Sequence, residues 1–347
     1  MEVYNAEDII KQYGILLDKT AQKNILEIPF DNISKNSLLQ KVDNLSRKIS
    51  VIIPTYNRKK QLFECIISIL RQTYINFEII IIDDNSSDNT KQMILDIDDE
   101  RIHYYCNKKN MGVGYNRYKG YNLSKGDFVI FCDDDDFFID NNYFEKVMEL
   151  FQEDDINIIC ANSLIYYEKT KKFEFNALNF TGKIDSYEYL QYFQFQYSKP
   201  NSTFCAVFRK RILEKAHFED MKMMNDSSIY LRALTVEGFC WGARDIVGIY
   251  RIHNKNLTSS YVSADFIIQN FEEKRTVYNY IKNHNLISHQ KKWFEKQISI
   301  TTNYFLHNYK NTEELKQVLI WIRNCVSFKL YFKTIMKILL KRVVIRK

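Results

Sequence analysis

The sequence predicts an α/β fold in which a largely parallel, Rossmann-like sheet is followed by a helical C-terminal region. Between about residues 49 and 160, short β-branched runs alternate with stretches whose apolar residues recur at helical spacing, a pattern typical of βαβ units. From about residue 264 onward, only helical patterns occur. Hydrophobic residues make up 46% of the 347 residues and charged residues 27%, which indicates a folded globular chain.

The predicted strands and helices follow one another in a regular order. Five strands are expected at 49–53, 77–82, 101–105, 127–132 and 156–160. Helical spacing between the first two strands predicts a crossover helix at 59–71. Further along we expect a hairpin at 166–175, helices at 185–193, 209–216 and 226–237, and a strand that ends near Tyr250.

The chain is expected to divide into three parts. These are a helical N-terminal extension at 1–48, the α/β domain at 49–260 and a helical region with a basic tail at 261–347. No secretory signal opens the sequence, and no apolar run reaches the roughly 18 residues that a spanning helix needs. The seven cysteines are scattered without close pairs, which favours reduced thiols. We therefore expect a cytoplasmic protein.

Polar side chains follow the first two predicted strands. They are Pro54, Thr55, Tyr56, Asn57 and Arg58 after the first strand, and Asp83 and Asp84 after the second. Open α/β sheets bind ligands at the carboxyl ends of their strands, where a carboxylate can accept hydrogen bonds from a ribose hydroxyl or a base N–H. An ordinary acidic turn that caps the next helix explains the second run equally well.

Four consecutive aspartates, residues 133–136, follow the fourth predicted strand directly. Adjacent carboxylates repel one another, so the arrangement is costly unless a cation neutralises it. Mg²⁺ or Mn²⁺ binds through one or two carboxylates and completes its shell with water and phosphate oxygens. A solvated acidic loop is the alternative. It explains the run less well, because the four aspartates lie between a hydrophobic strand and two phenylalanines.

The three strand-end motifs together resemble those of the family 2 glycosyltransferases, which have a GT-A-type fold. In that family the first strand reads Val-Ile-Ile-Pro-Thr-Tyr-Asn, as at 51–57, and the second ends in Asp-Asp-Gly-Ser-x-Asp, as at 83–88. The fourth ends in an Asp-x-Asp-Asp metal motif, as at 133–136. Asn85 replaces the usual glycine, and asparagine also tolerates left-handed backbone geometry. The resemblance covers roughly 49–260.

The resemblance also implies which residues hold the nucleotide of the donor. The family's Asn-x-Gly-x-x-x-Ala-Arg-Asn-x-Gly segment corresponds to 110–120, in which Asn116 and Tyr118 are departures. The implied donor-binding residues are Pro54, Thr55, Tyr56, Asn57, Arg58, Asp83, Asp84, Asn110, Gly112, Arg117 and Asp134. For Arg117, a structural ion pair between its helix and the acidic loop is an equally good interpretation.

A metal-ligand set is implied as well. Asp133 and Asp135 would hold Mn²⁺ or Mg²⁺, together with His253 from a Tyr-Arg-x-His segment that closes the catalytic domain in many of these enzymes. His253 would otherwise contact the diphosphate. A lone histidine is more often a surface or packing residue, so this assignment depends on the resemblance.

Asp226 is the expected general base. It occupies the second position of a segment that resembles the family's Glu-Asp pair, although Asn225 replaces the glutamate. An inverting transfer needs a carboxylate that takes the proton of the acceptor hydroxyl while its oxygen attacks the anomeric carbon. An aspartate at a helix N-terminus is also a good cap, and without the resemblance we would favour the cap.

The C-terminal tail carries seven basic residues and no acidic one between Lys329 and Lys347. Four lysines recur every four residues, which predicts a lysine stripe on one helix face. Six apolar residues are expected opposite it: Phe332, Ile335, Met336, Leu339, Leu340 and Val343. Such a helix suits the interface of an anionic membrane. A helix docked on the catalytic domain with a solvated basic face is the alternative.

Taken together, these features predict an inverting, Mn²⁺- or Mg²⁺-dependent glycosyltransferase. We expect a nucleotide-sugar donor, which the resemblance implies to be a UDP-sugar, and the hydroxyl of a glycan or lipid-linked saccharide as acceptor, in surface polysaccharide or glycoconjugate synthesis. The expected location is cytoplasmic and peripheral on the inner face of the membrane, without nucleic acid as a partner. The alternatives are a nucleotidyltransferase on a similar sheet or a non-catalytic nucleotide-binding module. A dehydrogenase is disfavoured because the first strand lacks the Gly-x-Gly-x-x-Gly turn.

Overall fold

The computed structural model describes residues 47–221, 224–253, 262–309 and 311–345, with side chains up to residue 338 in the last helix. The predicted N-terminal extension at 1–48 therefore lies almost wholly outside the described residues.

The first half of the α/β domain forms a parallel sheet with crossover helices. Its elements are β1 (Ile49–Thr55), α1 (Lys59–Leu70), β2 (Phe77–Asp83), α2 (Thr90–Ile97), β3 (Ile102–Cys106), α3 (Val113–Leu123) and β4 (Phe128–Phe131). The strands lie in the order β3-β2-β1-β4, with parallel pairing throughout. Every residue of β1 and β2 is buried, as expected for strands covered on both faces. The predicted strands and the first crossover helix are confirmed.

The second half of the domain makes the sheet mixed. It contains β5 (Phe137–Phe138), α4 (Tyr143–Leu150), β6 (Ile156–Tyr167), β7 (Lys172–Phe175), β8 (Gly182–Asp185), α5 (Ser186–Tyr192), β9 (Ala206–Arg209), α6 (Lys210–Lys215), α7 (Asp226–Ala233) and β10 (Phe239–Ile252). The sheet continues from β4 through β9, β6 and β10 to β5. Strand β9 is antiparallel to both β4 and β6. The predicted hairpin is present as β6 and β7, and β6 extends seven residues beyond its predicted end.

Four helices follow the sheet: α8 (Ala264–His284), α9 (Gln290–Asn308), α10 (Thr312–Cys325) and α11 (Phe328–Ile345). One hydrophobic core joins the sheet to all four of them, and it includes Phe208 of β9, Phe271, Phe305, Ile322 and Ile338. The helices therefore pack on one face of the sheet, while a second core fills the other face. Among the described residues, no helix is both long enough and apolar enough to span a bilayer.

A candidate active site at the carboxyl edge of the sheet

The ends of β1 and β4 meet through hydrogen bonds to the acidic loop. Thr55 Oγ1 donates to Asp134 Oδ2 at 2.7 Å. Arg58 Nη1 donates to Asp134 Oδ1 and to Asp135 Oδ2, both at 2.8 Å. The sequence placed these side chains at one edge of the sheet, and the structure brings them into contact. In this arrangement Thr55 and Arg58 hold the acidic loop.

The acidic loop is buried rather than solvated. Asp134, Asp135 and Asp136 are all nearly inaccessible to solvent, whereas the Asp133 side chain retains about a third of its exposure. Burial raises the pKa of Asp134 to about 7, and Arg58 only partly offsets that effect. Burial and the neighbouring carboxylates also raise the pKa of Asp136 well above its usual range. Burial therefore favours the neutral form of Asp136 and brings the ionisation of Asp134 close to neutral pH.

Protein cations neutralise part of this charge. Three permanent cations, Arg58, Arg117 and Lys199, lie within ion-pair distance of an aspartate at this edge. They pair with the carboxylates of Asp133, Asp134, Asp135 and Asp226.

Asp135 and His253 form the part of the site that best fits a metal ion. His253 Nε2 lies 2.8 Å from Asp135 Oδ2, and both side chains are buried. Neighbouring ligands of one octahedral Mg²⁺ are about 3 Å apart, because each metal–oxygen distance is about 2.1 Å. The separation of this carboxylate and imidazole equals that of two adjacent coordination positions, and the same Asp135 oxygen also accepts a hydrogen bond from Arg58 Nη1.

Asp133 does not complete the expected three-residue ligand set. Its carboxylate turns to Arg117, with Oδ1 at 2.6 Å from Nη2. Within the described residues, the one trio of potential ligand atoms that lie within 4.8 Å of one another is His217, Glu219 and Asp220, all exposed. Such exposed groups commonly lie together without an ion. In this structure Asp133 thus pairs with a guanidinium, and its role as a metal ligand stays a prediction.

Arg117 joins the acidic loop to the predicted general base. Its Nη1 donates to Asp226 Oδ1 and to the carbonyl of Met224, both at 3.1 Å, while Nη2 donates to Asp133. The pKa of Arg117 is raised because the two carboxylates outweigh the effect of burial. With both terminal nitrogens used and the side chain buried, Arg117 forms the structural ion pair that was one of its two expected roles, and the donor contact stays a prediction.

The close packing of α3 on the sheet fixes the position of Arg117. One turn further along the same helix, a Cβ atom on Gly120 would lie 2.3 Å from the Ile52 side chain. Only glycine allows this approach, because any larger residue would push α3 away from β1. Gly120 therefore sets the depth at which Arg117 reaches between Asp133 and Asp226.

Asp226 is not the cap of its helix. Asn225 holds the cap position, where its side chain accepts from the Ser228 N–H at 2.9 Å and the Ser228 hydroxyl interacts with the Asn225 N–H at 3.1 Å. Asn225, which stands where the family has a glutamate, thus forms a capping box with Ser228. The capping explanation for Asp226 is wrong, because its neighbour performs that role and leaves its carboxylate available.

The electrostatics of Asp226 suit a proton acceptor that is charged at neutral pH. Burial would raise its pKa, but Arg117 and Lys199 outweigh burial and lower it. Lys199 Nζ lies 3.7 Å from Oδ2, and the carboxylate side chain remains 36% exposed. One oxygen is therefore held by Arg117, while the other lies toward Lys199 and remains partly open to solvent.

At the end of β2, Asp84 organises the loop before α3. Its carboxylate accepts hydrogen bonds from the backbone N–H groups of Met111 and Gly112 and from the Asn107 amide, at 2.7 to 2.9 Å. Gly112 has φ +86°, a backbone conformation that glycine adopts without strain. Asp84 therefore fixes the position of this loop, and Asn110 is exposed on it.

The loops after β1 and β2 are tied to each other. The Asn57 N–H donates to Ser86 Oγ, and Asn57 Oδ1 accepts from the Ser87 N–H. Asn57 and Asn85 have φ +52° and +71°, which confirms the left-handed turn expected at Asn85. Asp83 accepts from the Ser86 N–H and from the Tyr104 hydroxyl. Exposed Tyr56 and Pro54, which is buried at the end of β1, complete this edge.

Three residues of the site had no signal in the sequence. Lys199 lies in the irregular segment after α5, and Ser202 follows it and donates to Asp136 Oδ2 at 2.5 Å. Tyr304 lies on α9, where burial and then the charge of Asp226 raise its pKa. No motif or periodicity connects these positions to the strand ends.

The mixed sheet with acidic strand ends is the GT-A-type fold. A S. aureus TarS fragment solved in complex with UDP-GlcNAc shares it, with a TM-score of 0.59 over 78% of each chain and 18% sequence identity. Residues 50–216 match the family model described as "Glycosyl transferase family 2". The similarity to this family is therefore shown for residues 50–216, slightly less than half of the chain.

Two curated relatives are similar over this region. The Campylobacter jejuni GalNAc(5)-diNAcBac-PP-undecaprenol beta-1,3-glucosyltransferase is 32% identical over 197 residues, which are 55% of this chain and 61% of that protein. The Escherichia coli UDP-Glc:alpha-D-GlcNAc-diphosphoundecaprenol beta-1,3-glucosyltransferase WfgD is 33% identical over 114 residues, or 33% of this chain and 45% of that protein. The similarity thus spans less than two thirds of either relative.

Proposed function

We propose that this chain is a metal-dependent, inverting glycosyltransferase that moves a sugar from a UDP-sugar to a hydroxyl of a lipid-linked saccharide. The observation that carries the proposal is the position of Asp226. Its partly exposed carboxylate is linked to the acidic loop through the guanidinium of Arg117, which donates hydrogen bonds to both Asp226 and Asp133. A proton acceptor and a candidate diphosphate-binding edge are therefore adjacent.

In the proposed reaction, Asp226 accepts the proton of the acceptor hydroxyl. The hydroxyl oxygen forms a bond to the anomeric carbon of the donor sugar as the bond from that carbon to the diphosphate oxygen breaks. The nucleoside diphosphate leaves with the electron pair of the broken bond. Arg117 and Lys199 keep Asp226 deprotonated before the reaction and hold it in place.

Asp135 and His253 are the residues that would hold Mn²⁺ or Mg²⁺. When bound, the ion would neutralise the charge that develops on the departing diphosphate. Arg58, which bonds both Asp134 and Asp135, would orient those carboxylates. Thr55, Tyr56 and the loop held by Asp84 would provide polar groups for the nucleoside.

The acceptor class and the donor are supported by the names of the two relatives. Both names specify an undecaprenol-linked diphosphate saccharide as acceptor, and that of WfgD specifies UDP-Glc as donor. We expect the segment between β6 and β10 to determine which sugar this chain transfers and which linkage it forms.

The test is a transfer assay with a panel of UDP- and GDP-sugars and a short-chain polyprenyl diphosphate saccharide as acceptor. We expect UDP release and an acceptor whose mass increases by one sugar residue, in the presence of Mn²⁺ or Mg²⁺ but not of a chelator. Addition of a nucleotide to the acceptor, with pyrophosphate release, would instead identify a nucleotidyltransferase. Loss of turnover in Asp226→Asn assigns the activity to this site.

A further inference from the structure

The last helix, α11, packs on the protein and still leaves aromatic rings in solvent. It contacts α9 and α10, with Thr334 and Ile338 buried. Phe328 and Phe332 are 79% and 54% exposed, and Met336 is exposed as well. Phe332 and Met336 are two of the six apolar residues expected opposite the lysine stripe. The contacts of the docked helix bury other residues instead.

These apolar side chains share one face of the helix with lysines. We define the aromatic–basic strip as the exposed residues Phe328, Lys329, Phe332, Lys333 and Met336. At about 100° per residue, these positions fall within a single arc of about 140°, and Thr334 and Ile338 lie on the opposite side. The rings of Phe328 and Phe332 stack with centroids 6.3 Å apart. The strip is thus a continuous surface of rings and ammonium groups.

Charge decides which partner fits this surface. From residue 329 to 347 the sequence has seven basic residues and no acidic one. In a symmetric pair of chains the same patch would face itself, so lysines would oppose lysines. An anionic lipid surface complements the lysines and accepts aromatic rings at the depth of its headgroups.

Contacts hold α11 against α9. Lys337 Nζ, one residue beyond the strip, donates to Asn303 Oδ1 on α9 at 2.7 Å. The Ser327 N–H, before the start of α11, donates to Glu295 of α9. A surface held by the strip would therefore be connected to α9.

We propose that the aromatic–basic strip of α11 docks the protein on an anionic lipid bilayer, with the helix lying in the interface. Phe328, Phe332 and Met336 enter the headgroup region, and Lys329 and Lys333 contact the lipid phosphates. The buried side of α11 stays packed on α9 and α10 throughout. This docking is independent of the proposed chemistry, because it needs neither donor nor acceptor.

The test is co-sedimentation of the full chain with vesicles of phosphatidylcholine, alone or mixed with phosphatidylglycerol. We expect binding to the mixed vesicles and little binding to phosphatidylcholine alone. Lys329→Gln with Lys333→Gln should weaken binding to the mixed vesicles by roughly tenfold or more, and Phe328→Ser with Phe332→Ser should also weaken it. Because all four side chains are exposed, melting temperatures should stay near that of the parent.

Matched controls use exposed residues outside the strip. One control removes two exposed lysine charges on α9, in Lys291→Gln with Lys292→Gln, and the other removes an exposed apolar side chain before β2, in Ile75→Ser. Both should bind vesicles like the parent. Equal binding by the parent and both strip variants would overturn the proposal. So would concentration-dependent dimerisation without vesicle binding, if the phenylalanine variant abolished it. Vesicle binding by Asp226→Asn at the level of the parent separates this inference from the proposed reaction.

Discussion

His253 Nε2 lies 2.8 Å from Asp135 Oδ2, although 118 residues separate the two in the chain. The contact arises because Asp135 follows β4 and His253 follows β10, which pairs with β6 and β5 at the same edge of the sheet. It is the geometric basis for the proposed metal site.

Replacing His253 should weaken the binding of Mn²⁺. In His253→Gln we expect the affinity for Mn²⁺, measured by titration calorimetry in the presence of UDP, to fall by at least about tenfold, because even outer-shell partners of a metal contribute that much. His217→Gln is the matched control, since His217 belongs to the exposed cluster with Glu219 and Asp220. Unchanged affinity in His253→Gln, or a loss in His217→Gln alone, would move the metal away from Asp135.

Asp226→Asn should separate catalysis from folding. Asn preserves the size of the side chain but cannot take the acceptor proton, so turnover should fall by about a hundredfold or more. The melting temperature should change little, because Asn225 rather than Asp226 caps the helix. Asp220→Asn, at an exposed aspartate of the preceding turn, should turn over like the parent. Parental turnover in Asp226→Asn would assign the base to another carboxylate.

The cap itself can be measured through Asn225→Ala. Loss of the hydrogen bond to the Ser228 N–H should lower the free energy of unfolding by about 1 kcal/mol in a denaturant titration. Asn142 is the control because it also precedes a helix, but its side chain makes no capping hydrogen bond. Asn142→Ala should therefore have a smaller effect. The capping assignment fails if the two substitutions cost the same.

Lys199→Gln should change the pH dependence of the reaction. Lys199 is one of the two cations that hold the pKa of Asp226 below its usual range against the effect of burial. Without Lys199 that pKa rises, so the acid limb of the pH profile of kcat/KM should move to higher pH. Lys215→Gln, at an exposed lysine of α6, should leave the limb in place. A reduced rate with an unmoved limb would show that Lys199 does not act through the charge of Asp226.

Lys274 should make stability depend on pH above neutrality. The side chain is 2% exposed and donates to Gln297 O and Thr301 Oγ1, and burial lowers its pKa to about 7. The unfolded chain keeps a lysine pKa of about 10.4, so unfolding takes up a proton between these pH values. The contribution of Lys274 to stability therefore rises with pH, by up to about 1.4 kcal/mol per pH unit.

The comparison that isolates this effect is Lys274→Met. The variant should be more stable than the parent near neutral pH, and its advantage should shrink as the pH rises toward about 9. Urea unfolding at several pH values measures the stability difference and its dependence on pH, with Lys291→Met as an exposed control. A constant difference between Lys274→Met and the parent would show that Lys274 keeps an ordinary pKa in the folded protein.

Much of the fold could be predicted because its signals are local. The strands at 49–53 and 77–82 are unbroken β-branched runs, and the helix between them repeats its apolar residues at helical spacing. The sequence did not reveal that β9 is inserted between β4 and β6. That strand is only four residues long, and its pairing partners lie far away in the chain, so no local periodicity identifies its neighbours.

The sequence by itself determined which residues stand at the carboxyl ends of the strands, because a strand and the polar residues after it are contiguous. It also placed Asp226 at the start of a helix. Only the tertiary structure decided what these residues contact. Arg117 donates hydrogen bonds to Asp133 and Asp226, and His253 lies within hydrogen-bond distance of Asp135. It also decided that α11 leaves Phe328 and Phe332 exposed. The physical reason is that burial and ion pairing depend on distances between elements, which follow from sheet order and helix packing and have no local signature in the chain.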